Sequence, residues 1–168
     1  MDVVESVTGG ALFASYVVEG YTAEYPDVDF DELVRPGARI LTREMAQRCL
    51  AEPGVLVSAL TSVALDKPIW SGDPSSGVFL DRLVENVPSG RIVAPLLVAQ
   101  GADDALVTPA AQQAYVDDRC AAGYPVDYRT YAGRGHVPLV EADSPLIPEL
   151  VAWTTERFAD EPATDTCP

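Results

Sequence analysis

Two short apolar segments joined by a helix set the strongest limit on how this 168-residue chain can fold. Ile92 to Gln100 is a nearly continuous apolar run containing Leu96, Leu97, Val98 and Ala99, which suits a parallel strand covered on both faces. Pro95 has no amide hydrogen to give a sheet, so the strand proper is expected to begin there. Thr108 before Pro109 is a helix cap followed by a residue suited to the first turn. That helix is expected to run to about Ala122, with Gly123 closing it. Val126, Tyr128 and Thr130 then alternate with Asp127, Arg129 and Tyr131 as a second strand. Strands connected through a helix pair in parallel by a right-handed crossover. A lone pair leaves its faces and edges uncovered, so the expected class is α/β, with this pair belonging to a larger sheet.

The remainder divides around residue 90. Residues 1–90 read as a mostly helical segment, 91–160 as the α/β part, and 161–168 as a polar tail expected to be mobile. Within the helical segment, Val3 to Tyr25 is apolar but broken by Gly9-Gly10 and Gly20, and Asp27 to Asp31 is an acidic turn. Thr42 to Leu50 is expected to be a short helix capped by Thr42, with Pro53-Gly54 ending it. Further helices are expected over Val55 to Leu65 and Val78 to Asn86, separated by a loop over 66–77, and nothing in this half alternates like a strand. After the second strand, a loop from Ala132 to Asp143 leads to Ser144-Pro145. These open a last helix expected to bury Leu146, Ile147, Leu150, Val151, Trp153 and Phe158.

A formal net charge of -15 argues against a nucleic-acid partner, which needs clustered Lys and Arg, and against an anionic membrane surface. No apolar run approaches the ~18 residues of a membrane span. The acidic start Met-Asp-Val-Val-Glu lacks the basic region of a signal peptide, so the expectation is either a cytosolic protein or an export signal on sequence not present here. Cys49, Cys120 and Cys167 match no zinc spacing, and their odd number leaves a thiol unpaired or paired outside the chain. Cys167 on a polar tail fits a disulfide staple of a secreted protein, with its partner unassigned.

The chemistry is expected just beyond the carboxyl ends of the two strands. After the first strand comes Gly101-x-x-Asp104-x-x-Val107. An aspartate there can orient a histidine and stabilise its imidazolium. Asp104 is the favoured acid and Asp103 its close rival; either residue can equally be a solvated turn residue or a helix cap. His136, the only histidine, follows the second strand in Gly133-Arg-Gly-His136, so both residues leave the same sheet edge. A lone histidine is usually structural, but a flanking glycine and an acid one strand away favour a general base. The nucleophile is missing. No serine lies in Gly-x-Ser-x-Gly; Ser75 and Ser76 in Gly72-Asp-Pro-Ser-Ser-Gly77 come nearest, with Asp73 and Pro74 where glycine is required. There is no P-loop, no Gly-x-Gly-x-x-Gly and no metal-ligand spacing, so no cofactor is expected.

Pro95-Leu-Leu-Val-Ala-Gln-Gly101, Asp104, Leu106-Val107, Val126-Asp-Tyr128 and Gly-Arg-Gly-His136 together resemble the C-terminal region of the secretory lipase family of α/β-hydrolases. The resemblance is strongest over residues 90–160. Over 15–60 it is weaker, where Gly20-Tyr21, Tyr25-Pro26 and Asp29 to Asp31 are similar to the family's helical cap. It implies a partial α/β-hydrolase fold made of the last two parallel strands and their helices, preceded by a cap. It implies a secreted serine ester hydrolase acting on lipid or other acyl esters, with Asp104 as acid and His136 as base. In the family the serine and the oxyanion donors precede this region, so a partner N-terminal half of the hydrolase is implied as well. Two other readings stay open: a non-catalytic binding module on the same scaffold, and a peptidase-type hydrolase.

Overall fold

The computed structural model describes residues 7–49, 52–65 and 67–168. It divides into two compact units, one ending at Pro88 and the other running from Ser89 to Pro168.

The first unit is helical: α1 (Val7–Glu24), α2 (Phe30–Leu33), α3 (Arg39–Ala46), α4 (Val55–Ala64) and α5 (Gly77–Glu85). The break expected in α1 does not occur, and the helix runs unbroken through Gly9, Gly10 and Gly20. Each interior glycine costs roughly 1 kcal/mol relative to alanine. Packing of α1 against α3 and α4, with Leu12, Ser15 and Val18 buried, offsets that cost. Thr42 is not a cap. It lies inside α3, fully buried, and the helix begins one turn earlier after Ala38; Leu50 lies outside the described residues. The acidic turn instead carries a cap, since Asp29 Oδ1 accepts the amides of Asp31 (2.6 Å) and Glu32 (3.1 Å) at the start of α2. The core of this unit joins Val18, Val28, Phe30, Val34, Ala38, Ile69 and Phe79. Val34 and Trp70 form an isolated antiparallel bridge.

The second unit is α/β. Strands β1 (Leu96–Gly101) and β2 (Val126–Tyr131) pair in parallel, with Leu96 opposite Val126 and Gly101 opposite Tyr131. Helix α6 (Pro109–Ala121) connects them and packs on both. Thr108 caps it by accepting the Ala111 amide at 3.3 Å, and Gly123 closes the far end with a positive φ of 79°. A 3-10 turn, Pro138–Val140, and α7 (Leu146–Phe158) follow β2. Together with Ala99, the side chains of Tyr131, Leu139 and Leu146 make a small core.

Two expectations about burial are corrected. Leu96, Leu97, Val98 and Ala99 are half-buried rather than covered on both faces; only Gln100 and Gly101 at the carboxyl end are buried. Of the apolar residues on α7, only Leu146 is buried, while Val151 is 63% and Phe158 88% exposed. Two strands about 4.8 Å apart make a surface too narrow to cover a helix of about 20 Å.

The tail expected to be mobile is tied to the sheet. Cys167 forms a disulfide with Cys120 of α6, which leaves Cys49 as an exposed free thiol. Thr166 donates its amide to the Val126 carbonyl at 2.9 Å, and its hydroxyl oxygen accepts the Tyr128 amide at 2.9 Å. The Asp165 carboxylate accepts the Val126 amide at 3.3 Å. The tail thus occupies the outer edge of β2, where unpaired amides would otherwise lie open. The disulfide closes a loop spanning 47 positions. Cys167→Ser or reduction is therefore expected to destabilise this unit by about 3–4 kcal/mol in denaturant unfolding. It should also abolish hydrogen-exchange protection at Val126 and Tyr128; unchanged protection after reduction would show that the tail does not guard this edge.

Candidate active site

Parallel strands end at the same edge, so the loops that leave β1 and β2 emerge side by side. The chain leaving β1 turns at once, with the Ala102 amide on the Tyr131 carbonyl (2.9 Å) and the Asp103 amide on the Arg134 carbonyl (2.9 Å). Two backbone bonds therefore stitch the acid loop to the histidine loop before either functional side chain appears.

Asp104 is 5% exposed and His136 is half-exposed; they meet with His136 Nδ1 2.9 Å from Asp104 Oδ2. The other carboxylate oxygen, Oδ1, accepts the amides of Leu106 and Val107, each at 2.9 Å. Burial pushes the Asp104 carboxyl up. The opposing pull of the His136 hydrogen bond, the two amides and the imidazole charge is stronger in sum, and its pKa lies below the usual 3.8. An ionised carboxylate has no hydrogen to give, so Nδ1–H must be the donor, and Nε2 is the ring nitrogen not engaged by Asp104. Among the described residues no hydrogen bond engages Nε2. The rival acid Asp103 is exposed and takes part through its backbone alone, with its amide on the Arg134 carbonyl.

Three supporting features are not evident from local sequence. Gln100, buried at the end of an apolar strand, donates to the carbonyls of Gly101 (2.9 Å) and Val107 (3.0 Å), bridging both ends of the acid loop. A polar residue closing an apolar run was the only signal for it. Gly101 has to be glycine, because a Cβ there would stand 2.4 Å from the Arg134 carbonyl oxygen and 2.9 Å from that of Gly135. The Arg134 side chain reaches across its own loop to Asp143, at 3.0 and 3.2 Å from the two carboxylate oxygens.

None of the described serines stands at a turn that joins a strand directly to a helix. Ser144 is buried and accepts the Leu146 amide at 3.3 Å at the start of α7. Ser76 donates to the Asp73 carbonyl at 2.9 Å, and the Ser75 amide bonds the Asp73 side chain at 2.8 Å. Ser15, Ser58 and Ser62 are buried in the helical unit, and Ser6 lies outside the described residues. A cleft of about 220 Å³ lined by Ile92 to Leu96, Tyr124 and Pro125 sits at the amino ends of the strands, the opposite edge from the Asp104–His136 pair. Among the described residues, no three or more His, Cys, Asp or Glu side chains converge as a metal site, and no helix is long and apolar enough to cross a membrane.

No protein-family profile, curated protein or solved structure matches the chain.

Two outcomes follow from this geometry. Gly101→Ala forces backbone against backbone and is expected to cost about 1–3 kcal/mol in denaturant unfolding; a neutral effect would mean that the two loops are not in contact. The folded pKa of Asp104 is depressed, so its contribution to stability is present above the unfolded value near 3.8 and is lost as pH falls through the lower folded value. Below about pH 4 the unfolding midpoint should therefore drop more steeply for the wild type than for Asp104→Asn, and parallel pH profiles would contradict the depressed value.

Proposed function

We propose that the Asp104–His136 pair is the acid–base half of a serine ester hydrolase, carried on the last two strands of an α/β-hydrolase core. The observation that carries this is the 2.9 Å contact from Nδ1 to a buried carboxylate held by two amides, at the carboxyl edge of a parallel sheet. An orienting acid, a fixed tautomer and an unengaged Nε2 are what a general base needs to take a hydroxyl proton during attack on an acyl carbon and return it to the leaving alcohol. Asp104 stays ionised and stabilises the imidazolium that forms between those two transfers.

The nucleophile and the oxyanion donors are assigned to polypeptide outside these 168 residues, because no serine here lies in the required strand-to-helix elbow. The sequence resemblance to secretory lipases supports lipid or other acyl esters as substrates and the helical unit as the cap. The half-exposed Leu106, Val107 and Val137 near the pair give an apolar setting consistent with that class. The Cys120–Cys167 disulfide supports an oxidising, extracellular setting.

DNA immediately upstream of the first codon is expected to encode Gly-x-Ser-x-Gly between a strand and a helix, in some frame within about 150 codons. The joined product should label with a fluorophosphonate at that serine and hydrolyse esters. His136→Ala should lower kcat by about 10⁶-fold and Asp104→Asn by about 10⁴-fold. An upstream region without such a motif, or turnover indifferent to His136, would sink the assignment. The missing elbow also favours a second reading, a non-catalytic binding module, which would remain unlabelled in the joined product.

A further inference from the structure

We propose that Arg134 is the positioning residue of the acid–base pair, a two-ended tie that holds the His136 loop against the Asp104 loop. This rests on the acid–base reading of those two residues and adds what keeps them in register.

His136 is 48% exposed at its side chain, and its one described polar contact is Asp104. The imidazole is therefore placed by the backbone of its loop rather than by packing around the ring. Between β2 and α7 that loop is anchored in the core by Leu139. Arg134 adds a restraint at both ends of the loop, alongside the Gly135 carbonyl, which accepts the Leu139 amide at 3.1 Å. The Arg134 main-chain carbonyl accepts the amide of Asp103, the residue next to the acid, at 2.9 Å. Its guanidinium donates from Nη1 to the Pro138 carbonyl (3.3 Å) and Asp143 Oδ1 (3.0 Å), and from Nη2 to the Asp143 carbonyl (3.0 Å) and Oδ2 (3.2 Å). His136 thus sits inside a ring of chain closed by one side chain, two residues before it and seven after. The absent Cβ of Gly101 admits the Arg134 carbonyl to its place.

An isolated surface ion pair contributes little. This one is a fork on a fork with two further carbonyl acceptors, and its Arg134 side chain is only 20% exposed. Lysine presents a point charge in place of the planar fork and would meet fewer of the four acceptors.

The test uses the whole chain labelled with ¹⁵N-histidine. Because His136 is the sole histidine, a single imidazole is observed. In the wild type, Nδ1 should carry the proton and show it as a slowly exchanging, downfield resonance that Asp104→Ala abolishes. Arg134→Gln should leave the amide spectrum of β1 and β2 unchanged, yet speed exchange of the Nδ1 proton by about tenfold or more, the equivalent of losing one charge-assisted hydrogen bond. It should also mix the two tautomers. Arg134→Lys should recover part of the effect. Asp143→Ala breaks the same tie from a side chain that is 73% exposed, so folding is retained, and it should show a smaller loss in the same direction.

An Nδ1 proton that behaves as in the wild type in Arg134→Gln would overturn the proposal; if that variant does not fold, the same result in Asp143→Ala would do so. Failure of the acid–base reading looks different: the wild type itself would lack an Nδ1 proton that depends on Asp104.

Discussion

Gly101 opposite Tyr131 sets the two strands of the C-terminal unit to finish together, and the loops that follow them start from adjacent points on one edge. Each strand rises about 3.3 Å per residue, so a slip of two positions would separate Asp104 from His136 by more than a hydrogen bond can span. The pairing register is thus the condition for the 2.9 Å contact between them, although the two residues are 32 positions apart in sequence. Helix α6 makes that register possible by returning the chain in the same direction, with its ends defined by Thr108 and Gly123.

Around this edge the polar groups are used with little redundancy. Gln100 and the Asp104 side chain both bind the chain at Val107, one through its carbonyl and the other through its amide, so the acid loop is closed from two directions. On the other strand, Tyr131 donates to Glu149 of α7 at 2.8 Å, and burial, reinforced by that carboxylate, pushes its phenol pKa up to about 12. At neutral pH it is therefore a neutral donor. The Asp127–Arg129 pair on the same strand extends to Glu149 as well, tying α7 to the sheet by charge where apolar contact is sparse.

Much of the secondary structure was legible because it is local. The apolar run ending at Gly101, the alternation over 126–131 and the Thr108-Pro109 start of α6 come from short-range preferences, and the structure follows them within a residue or two. Where the structure departs from local preference, distant contacts decide. Gly9, Gly10 and Gly20 favour breaks locally, yet α1 continues because α3 and α4 lie along it. Thr42 has the residue type of a cap, yet it is buried inside α3. The polarity of residues 161–168 suggests a mobile tail, whereas its hydrogen bonds to β2 and its disulfide to α6 come from partners about 40 positions away.

By itself, the sequence determined that an acid and the one histidine follow successive strands, and that no serine has the glycine neighbours of a nucleophile elbow. Both are facts of residue identity and spacing, which no folding can change. Only the tertiary structure decided between Asp103 and Asp104 as the partner of His136, paired Cys167 with Cys120 rather than Cys49, and brought Arg134 across its loop to Asp143. Neighbouring aspartates and alternative cysteines are chemically equivalent along a chain. They become different only when a parallel ladder fixes which side chain is turned inward, out of water, toward the one group that can satisfy it.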